Sequence, residues 1–475
     1  MKKTKVLFIN PPYISQGGIE GQGGKSAPLN LAYLAAFLRK NNKNTEVKIV
    51  DAEGLKLTLK QIHHEVDIFS PHIIGITCPT PVYHTVKIIC RDIKKRDKYT
   101  RIVLGGPHPT ALPEKTLQDI DCDAVVIGEG ENTFSELVDA LSNNISKLAS
   151  VFGIAYRVNS EIKINKPREL IENLDSLPFP AKDLLPLNKY YLPPTKAMKS
   201  ERATNMITSR GCPFSCNFCM ATIMWGNRTR FRSVENIIEE IKINVQGYKL
   251  TEFSFHDEFF TLKKDRLLKI CKGIIDNGLD IAWACQTRAG SLDPEMLKIM
   301  KKSGCGKIAF GFESGSERIL KLMNKRENLK NAIESVKLCK DVGMDTVGAF
   351  ILGYPGEDTE SIEKTIEFAI KLDCEAVSFF IAIPFPGTRL YFEAIEKGYL
   401  DQNPDWEEFA PISKFDSPMR IPNFTPAELT RWKKIAYRRY YLRPKYIFKK
   451  LRTIRSKGDM KNILRGAKLF KDIFQ

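Results

Sequence analysis

The residues of this chain best suited to chemistry are three cysteines within eight positions: Cys212, Cys216 and Cys219, in Thr208-Ser-Arg-Gly-Cys-Pro-Phe-Ser-Cys-Asn-Phe-Cys219. A CxxxCxxC spacing brings three soft thiolates to one metal centre. Structural sites and cubanes usually take four protein ligands, so a local count of three leaves one coordination position for a reacting molecule. Gly211 and Pro213 disfavour regular helix around the first cysteine, which suits a loop wrapped round a cluster. Phe214 and Phe218 supply apolar cover. The alternative is a structural zinc site completed by a distant Cys or His. Such sites usually pair two short hooks, and the other cysteines here (Cys78, Cys90, Cys122, Cys271, Cys285, Cys305, Cys339, Cys374) stand singly.

The elements around this loop alternate in type. Over 201–385, apolar runs at Thr204–Ser209, Glu252–His256, Ile281–Gln286, Lys307–Phe312, Asp345–Leu352 and Ala376–Ile383 read as strands. Amphipathic stretches at Val234–Gln246, Arg266–Asn277, Pro294–Ser303, Leu329–Val342 and Thr359–Leu372 read as helices between them. Six β/α units predict a curved parallel sheet, a partial barrel, with chemistry on the loops after the strands; the cysteines follow the first strand.

Residues 1–150 show a second alternation. Val6–Ile9, Val47–Val50, His72–Thr77, Arg101–Leu104 and Ala124–Ile127 read as strands, and Asn30–Lys40, Val82–Lys95 and Asn132–Ser142 as helices. This predicts a doubly wound α/β sheet whose ligand lies beyond the carboxyl ends of its strands. The segments there are Asn10-Pro-Pro-Tyr13, Thr77-Cys-Pro-Thr-Pro81, Gly105-Gly-Pro-His-Pro-Thr110 and Gly128-Glu-Gly-Glu131. None is a GxGxxG opening a helix, so a nicotinamide fold is not expected. Between the two alternations, prolines at 167, 178, 180, 186, 193 and 194 mark an irregular linker headed by a short extended or hairpin segment, Val151–Ile164. The expected division is 1–150, a linker 151–200, a barrel 201–400, and a connector with a basic helical tail 401–475.

Cys212–Cys219, with Phe218 before the last cysteine, resembles the CxxxCxΦC hallmark of the radical S-adenosylmethionine (SAM) superfamily. The resemblance implies a [4Fe–4S] cluster on Cys212, Cys216 and Cys219 and SAM on the fourth iron. Reduction of the cluster would cleave SAM to methionine and a 5′-deoxyadenosyl radical. Phe255-His-Asp-Glu-Phe-Phe260 resembles the family's acidic motif after the second strand, and implies Glu258, rather than Asp257, on the SAM ammonium group. Arg288 would pair with the SAM carboxylate, while Glu313 and Ser314, in Gly311-Phe-Glu-Ser-Gly-Ser316, would face SAM or its ribose. Gly348–Gly356 resembles the loop bordering adenine. These polar residues also suit plain strand or helix capping.

Residues 1–150 resemble the cobalamin-binding domain fused ahead of many radical SAM enzymes. Classical corrinoid domains carry D-x-H-x-x-G, and none of the six histidines here lies in that motif. The resemblance therefore implies cobalamin bound without a protein His ligand. Thr77, Gly105, Gly106 and Gly128 would touch it, with Tyr13 and His108 as further contacts. His108 also suits a structural role in its own loop, and His256 either lines the substrate cavity or ends a strand.

Of the formal charge of +17, +14 falls in the last 45 residues, so the basicity belongs to a tail. Thr425-Pro-Ala-Glu-Leu opens a helix with a capping box, followed by Arg431–Pro444 and Lys445–Arg455, rich in Lys, Arg and aromatics. Three readings fit: a basic helix pair packed on the barrel, a peripheral contact with an anionic membrane surface, and RNA binding, with nucleic acid not expected as a partner. No apolar run reaches the 18–20 residues or so of a membrane span. Reduced cysteines and no secretory signal point to the cytoplasm, with the tail on the inner membrane surface. The resemblance extends to class B methylases and the anaerobic magnesium-protoporphyrin ester cyclases. It implies methylation of an unactivated carbon of a small-molecule or lipid substrate through methylcobalamin, with a flavodoxin or ferredoxin as reductant. A cyclase without net methyl transfer and a corrinoid or metal carrier remain as alternatives. An RNA methylthiotransferase would carry a further N-terminal set of three cluster cysteines.

Overall fold

A computed structural model describes residues 3–13, 24–158, 161–193, 195–198, 202–410 and 417–452. The first sheet comprises β1 (Thr4–Asn10), β2 (Thr45–Asp51), β3 (Ile73–Thr77), β4 (Arg101–Gly105), β5 (Ala124–Val126), β6 (Ile154–Val158) and β7 (Glu161–Ile164), in the order β2-β1-β3-β4-β5-β6-β7. The first five strands are parallel. The chain reverses its winding between β1 and β3, and that switch point opens a crevice at the carboxyl edge. β3 is buried at all five positions, as a strand covered on both faces must be. The hairpin at the head of the expected linker is β6–β7, which pairs antiparallel with β5 and extends this sheet. The helix Leu59–Phe69, capped by Thr58 and Gln61, was not predicted, since its apolar positions are broken by His63, His64 and Glu65.

The second sheet comprises β8 (Ala203–Met206), β11 (Glu252–Phe255), β12 (Ala282–Thr287), β13 (Cys305–Glu313), β14 (Asp345–Leu352) and β15 (Ala376–Ile381), all parallel, in chain order from β8 to β15. This is the open, partial barrel expected. Its helix-facing side is sealed by aromatics: Phe255, Phe260 and Trp283 pack together, and Phe310, Phe312, Phe350 and Phe379 follow one another. Between β8 and β11, a two-residue ladder of β9 (Ser209–Arg210) and β10 (Arg230–Phe231) closes the base of the cysteine loop.

The free edge of β15 is covered by the tail. In the helix Pro426–Tyr441, the Tyr441 hydroxyl accepts from Val377 N (2.9 Å) and donates to Val377 O (2.7 Å), and the Tyr437 hydroxyl accepts from Phe379 N (3.2 Å). Tyr440 donates to Cys374 O (2.6 Å) and Tyr446, from the next helix, to Glu375 O (3.1 Å). These aromatics are engaged by the barrel, which fits the reading of a basic helix pair packed on it and lends no support to peripheral membrane contact through this helix. The basic residues after Arg452 lie outside the described residues. Among the described residues no helix is long and apolar enough to cross a membrane.

Candidate active site

The approach to the cysteine loop is fixed from below. Asp257, fully buried at the end of β11, accepts from Thr208 N (2.7 Å), Ser209 Oγ (2.6 Å) and the Thr208 hydroxyl. It ties β8 and β9 together and is thereby removed from ligand contact. Gly211 follows at φ +98°, where an added Cβ would stand 2.1 Å from Arg228 O, so only glycine lets the chain turn into the loop. Asn217 N donates to Met323 O (3.0 Å), Asn217 Nδ2 to Leu322 O (2.8 Å), and Asn324 Nδ2 to Ser215 O (2.8 Å). Asn324 and Arg326 hold positive φ (53° and 51°) in the segment that clamps the loop.

The three thiols are half-buried and close enough to affect one another. Burial, reinforced by the neighbouring thiols, pushes Cys219 up to about 11 and raises Cys212 as well. Donors are already aimed at sulfur: Ala221 N at 3.5 Å from Cys219 Sγ and Arg288 Nη1 at 3.6 Å from Cys216 Sγ. Such donors favour thiolate, the ligating form. Three cysteines on one short loop, with no fourth cysteine beside them in sequence, fit a cluster that keeps one iron open to another ligand. Phe218 packs against the core, and Phe214 lies under the Arg288 guanidinium, 3.9 Å from ring centroid to Cζ.

Glu258 stands beside this loop. Burial, with Asp257 next to it, raises its carboxyl to about 7, against the donating Gly211 N–H and Trp225 indole. Its Oε2 is buried without a partner, so it is the acidic atom left for an incoming cation. Arg288 differs from expectation. It donates to Cys216 Sγ and to Lys325 O and forms an ion pair with Glu327 (Nε to Oε1 3.2 Å), so it braces the cysteine loop instead of standing free for a carboxylate. Glu313, at φ +63°, accepts from Lys325 Nζ at 2.8 Å, and Lys325 also faces Glu327 at 3.8 Å. Ser314 is fully buried and its hydroxyl meets Thr365 Oγ1 at 3.1 Å, on the helix behind the strand; it is a packing residue, which corrects the SAM contact expected of it.

The carboxyl edge of the first sheet faces the barrel. Gly106 has φ +104°, and an added Cβ would meet Cys78 N and Thr77 Oγ1 at 3.2 Å, while nothing lies within 4 Å of the same point on Gly128. Gly128 thus leaves room for a flat, bulky ligand at the crevice, while Gly106 lets the chain pack closely on Thr77 and Cys78. Thr77 Oγ1 accepts from Asn30 Nδ2 (2.9 Å), Gly105 O from Cys78 N (2.7 Å), and Tyr13 N donates to Glu53 Oε2 (2.8 Å). His108 is fully buried between Tyr83 (ring centroids 4.3 Å) and Trp406 (4.8 Å), and burial pushes its imidazole down to about 3. That placement corrects its reading as a ligand contact and fits the structural role also expected of it.

What sequence reading missed is how the halves join. Glu129 and Glu131, after β5, receive Arg210 Nη1 (2.8 Å) and Arg210 Nη2 (2.5 Å), and Arg230 Nη1 reaches both Glu129 oxygens (2.9 and 2.8 Å). Ile171 N also donates to Glu129 Oε2 (2.7 Å), and all four charged side chains are at most 7% exposed. The Glu-Gly-Glu run was legible; its partners 79 to 101 positions away were not.

Comparison with known proteins agrees with this architecture. The Radical SAM superfamily model matches residues 206–369 and the B12 binding domain model residues 21–138. An uncharacterized methyltransferase of Pyrococcus horikoshii is 39% identical over 94% of this chain and 95% of its own. Cytidylyl-2-hydroxyethylphosphonate methyltransferase of Streptomyces wedmorensis is 30% identical over 79% of each chain. Among solved structures, the cobalamin-dependent SAM radical enzyme OxsB, with aqua-cobalamin and SAM bound, superposes with a TM-score of 0.73 at 18% identity, covering 100% of this chain and 72% of that one. The radical SAM methyltransferase TsrM from Kitasatospora setae gives 0.69 at 17% identity over 83% and 75%. With its cobalamin-binding sheet, its partial barrel and its three-cysteine loop, the chain belongs to the cobalamin-dependent radical SAM methyltransferase family, whose cofactors are a [4Fe–4S] cluster, SAM and cobalamin.

Proposed function

We propose that this chain methylates an unactivated carbon of a small-molecule or lipid substrate held between the first sheet and the barrel mouth. One observation carries the reading. The Gly128 loop and the cysteine loop are neighbours through a buried ion network, Glu129 and Glu131 against Arg210, which precedes Cys212 by two residues. When bound, the cluster with SAM supplies a hydrogen-abstracting radical and cobalamin supplies the methyl group, a combination that only an inert carbon requires. Cys212, Cys216 and Cys219 hold the cluster, and Arg288 with Phe214 holds their loop in place. Glu258 receives the SAM ammonium group; a carboxyl raised to about 7 is returned to its ionised form by a cation at its free oxygen. Glu313, fixed by Lys325, presents a carboxylate edge beside the same loop. The first sheet offers the Gly106 and Gly128 turns as bare backbone for the corrin side.

The test is anaerobic reconstitution with iron, sulfide, cobalamin and methyl-labelled SAM, with metabolite extracts compared between wild type and Cys216→Ala. A metabolite that gains label and is lost with Cys216→Ala is expected. Formation of 5′-deoxyadenosine with an unlabelled, ring-closed product would replace methylation by cyclisation, the activity named for relatives such as the anaerobic magnesium-protoporphyrin IX monomethyl ester cyclase of Rubrivivax gelatinosus, 29% identical over 87% of this chain. No 5′-deoxyadenosine at all would leave a carrier.

A further inference from the structure

Barrels of this kind are normally filled by layers of branched side chains. Here the inward face is the wet one. Along β12 to β15 burial alternates, and the residues that pack on the helices, such as Trp283, Phe310, Phe350 and Phe379, are sealed. The alternate positions keep contact with solvent. In register they run Gln286 beside Ala309, and Gly311 beside Ala349 beside Ser378. Three of these five are Gly or Ala; Val347 beside Ala309 is buried and Glu313 and Lys325 fill the space beside Gly311, so small side chains line part of the inward face and leave room next to Gln286 and Ser378.

A segment from outside the barrel enters this space. Lys196 N and Ala197 N both donate to Pro193 O (2.8 and 2.7 Å), a turn that directs Lys196 inward. Its Nζ stands 3.3 Å from Nε2 of His256, which follows β11 in the inward register of Glu252 and Ser254. Met198 N then donates to Glu252 Oε1 (2.7 Å) at the start of β11, and the Met198 sulfur presses on Gly306. Buried cations near the barrel have carboxylates: Arg210 has Glu131, Arg230 has Glu129, Lys182 has Glu240 and Lys325 has Glu313. Among the described residues no carboxylate pairs with Lys196, and the polar partner it has is an imidazole. Burial pushes the Lys196 ammonium down to about 8, and burial with Lys196 beside it pushes His256 far down, so the imidazole is neutral and accepts. The Lys196 side chain is half-buried, so its ammonium can be reached, and an anion brought by a ligand would supply the counter-charge it lacks.

We propose that Lys196 and His256 form the acid-receiving end of the substrate pocket, so that the substrate carries an oxyacid group, carboxylate or phosphonate, bound by Lys196 Nζ. The apolar remainder lies along Ala309, Ala349 and Phe380. This rests on the barrel mouth being the site of methylation and adds the chemical class of what enters it.

The experiment uses the full-length, cluster-reconstituted protein and three probes of similar size: phenylacetate, phenylphosphonate and the neutral phenylacetamide. Binding is measured by calorimetry, and acylation of Lys196 at pH 8 by mass spectrometry. At least one anion should bind tenfold or more tighter than the amide and protect Lys196 from acylation. Lys196→Met should lose that preference with iron content and melting midpoint retained, and Lys196→Arg should keep it within about threefold of wild type. The better of the two anions identifies the source of the acid. Equal binding of the amide, no anion binding, or full anion preference in Lys196→Met would overturn the proposal. Formation of 5′-deoxyadenosine is scored separately. If it forms and no anion is preferred, the pocket reading alone falls. If anions are preferred and none forms, the catalytic reading falls and the pocket stands.

Discussion

Removing Glu129 tests the join between the two halves of the molecule. Glu129→Ala deletes the carboxylate acceptor of Arg230 (which keeps only Ile171 O), one of the two acceptors of Arg210, and the partner of Ile171 N. Breaking a buried pair by deleting one partner costs about 3–5 kcal/mol, chiefly because a charge is left unpaired away from water. The same loop supplies its own control. Arg228 pairs with Glu172, but their side chains are 62% and 61% exposed, so Glu172→Ala should cost under about 1 kcal/mol. Urea denaturation of the apo-protein at pH 7.5 reads both. A Glu129→Ala loss below about 1 kcal/mol, or an equal loss in Glu172→Ala, refutes the argument that burial gives this network its strength. Acidity supplies a second check. Burial alone would raise the Glu129 carboxyl, but hydrogen bonds from Arg230 and the charge of Arg210 outweigh it and hold it below 4.5. A depressed folded value means stability that is complete above about 4.5 and lost as pH falls below it toward the folded value. That acid-side loss should be smaller in Glu129→Ala than in the parent.

Glu258→Gln should weaken SAM binding at least tenfold by equilibrium dialysis. It should also raise the apo-protein melting midpoint at pH 8, because a carboxyl raised to about 7 contributes stability present below 4.5 and lost as pH rises through 7. An unchanged midpoint would count against a strained, unpartnered carboxylate. Gly106→Ala places a side chain at φ +104°, at a cost of about 1–3 kcal/mol, and should reduce the cobalamin retained after gel filtration, read by visible absorbance; full retention refutes the close approach at that backbone. Tyr441→Phe leaves Val377 N–H and C=O without their partner and should cost about 1–3 kcal/mol in thermal or urea unfolding, with no loss if the helix merely rests on the barrel.

The elements were legible because their periods are clean. Val234–Gln246, Thr359–Leu372 and Asp345–Leu352 form over the predicted residues, each bounded by a capping or turn residue adjacent in sequence. Leu59–Phe69 escaped because its histidines blur the apolar stripe, and the β6–β7 hairpin, read as the head of the linker, hid its pairing with β5 because β7 is an edge strand with exposed Glu161, Lys163 and Ile164. At the site, the cysteine spacing is local and could be read directly. Glu258 was preferred to Asp257 by resemblance alone, and the Thr208 and Ser209 donors on Asp257 supply the physical reason. Ser314 was misplaced because a motif fixes position along the chain but not the face a side chain turns to. Arg210, Arg230, Lys325 and Lys196 carry no local signal, since their meaning lies in partners far along the chain.

An open barrel has an end strand, and the tyrosines of the helix Pro426–Tyr441 decide what becomes of it. A strand whose amides and carbonyls face nothing will pair with another strand, most readily the same edge on a second copy of the chain. The hydroxyls of Tyr437 and Tyr441 occupy those positions on Phe379 and Val377. A chain ending before Thr425 would keep every cofactor-facing loop described above, yet it would be expected to self-associate edge to edge. The basic tail thus reads as insurance against aggregation, which allows the barrel to stay unclosed.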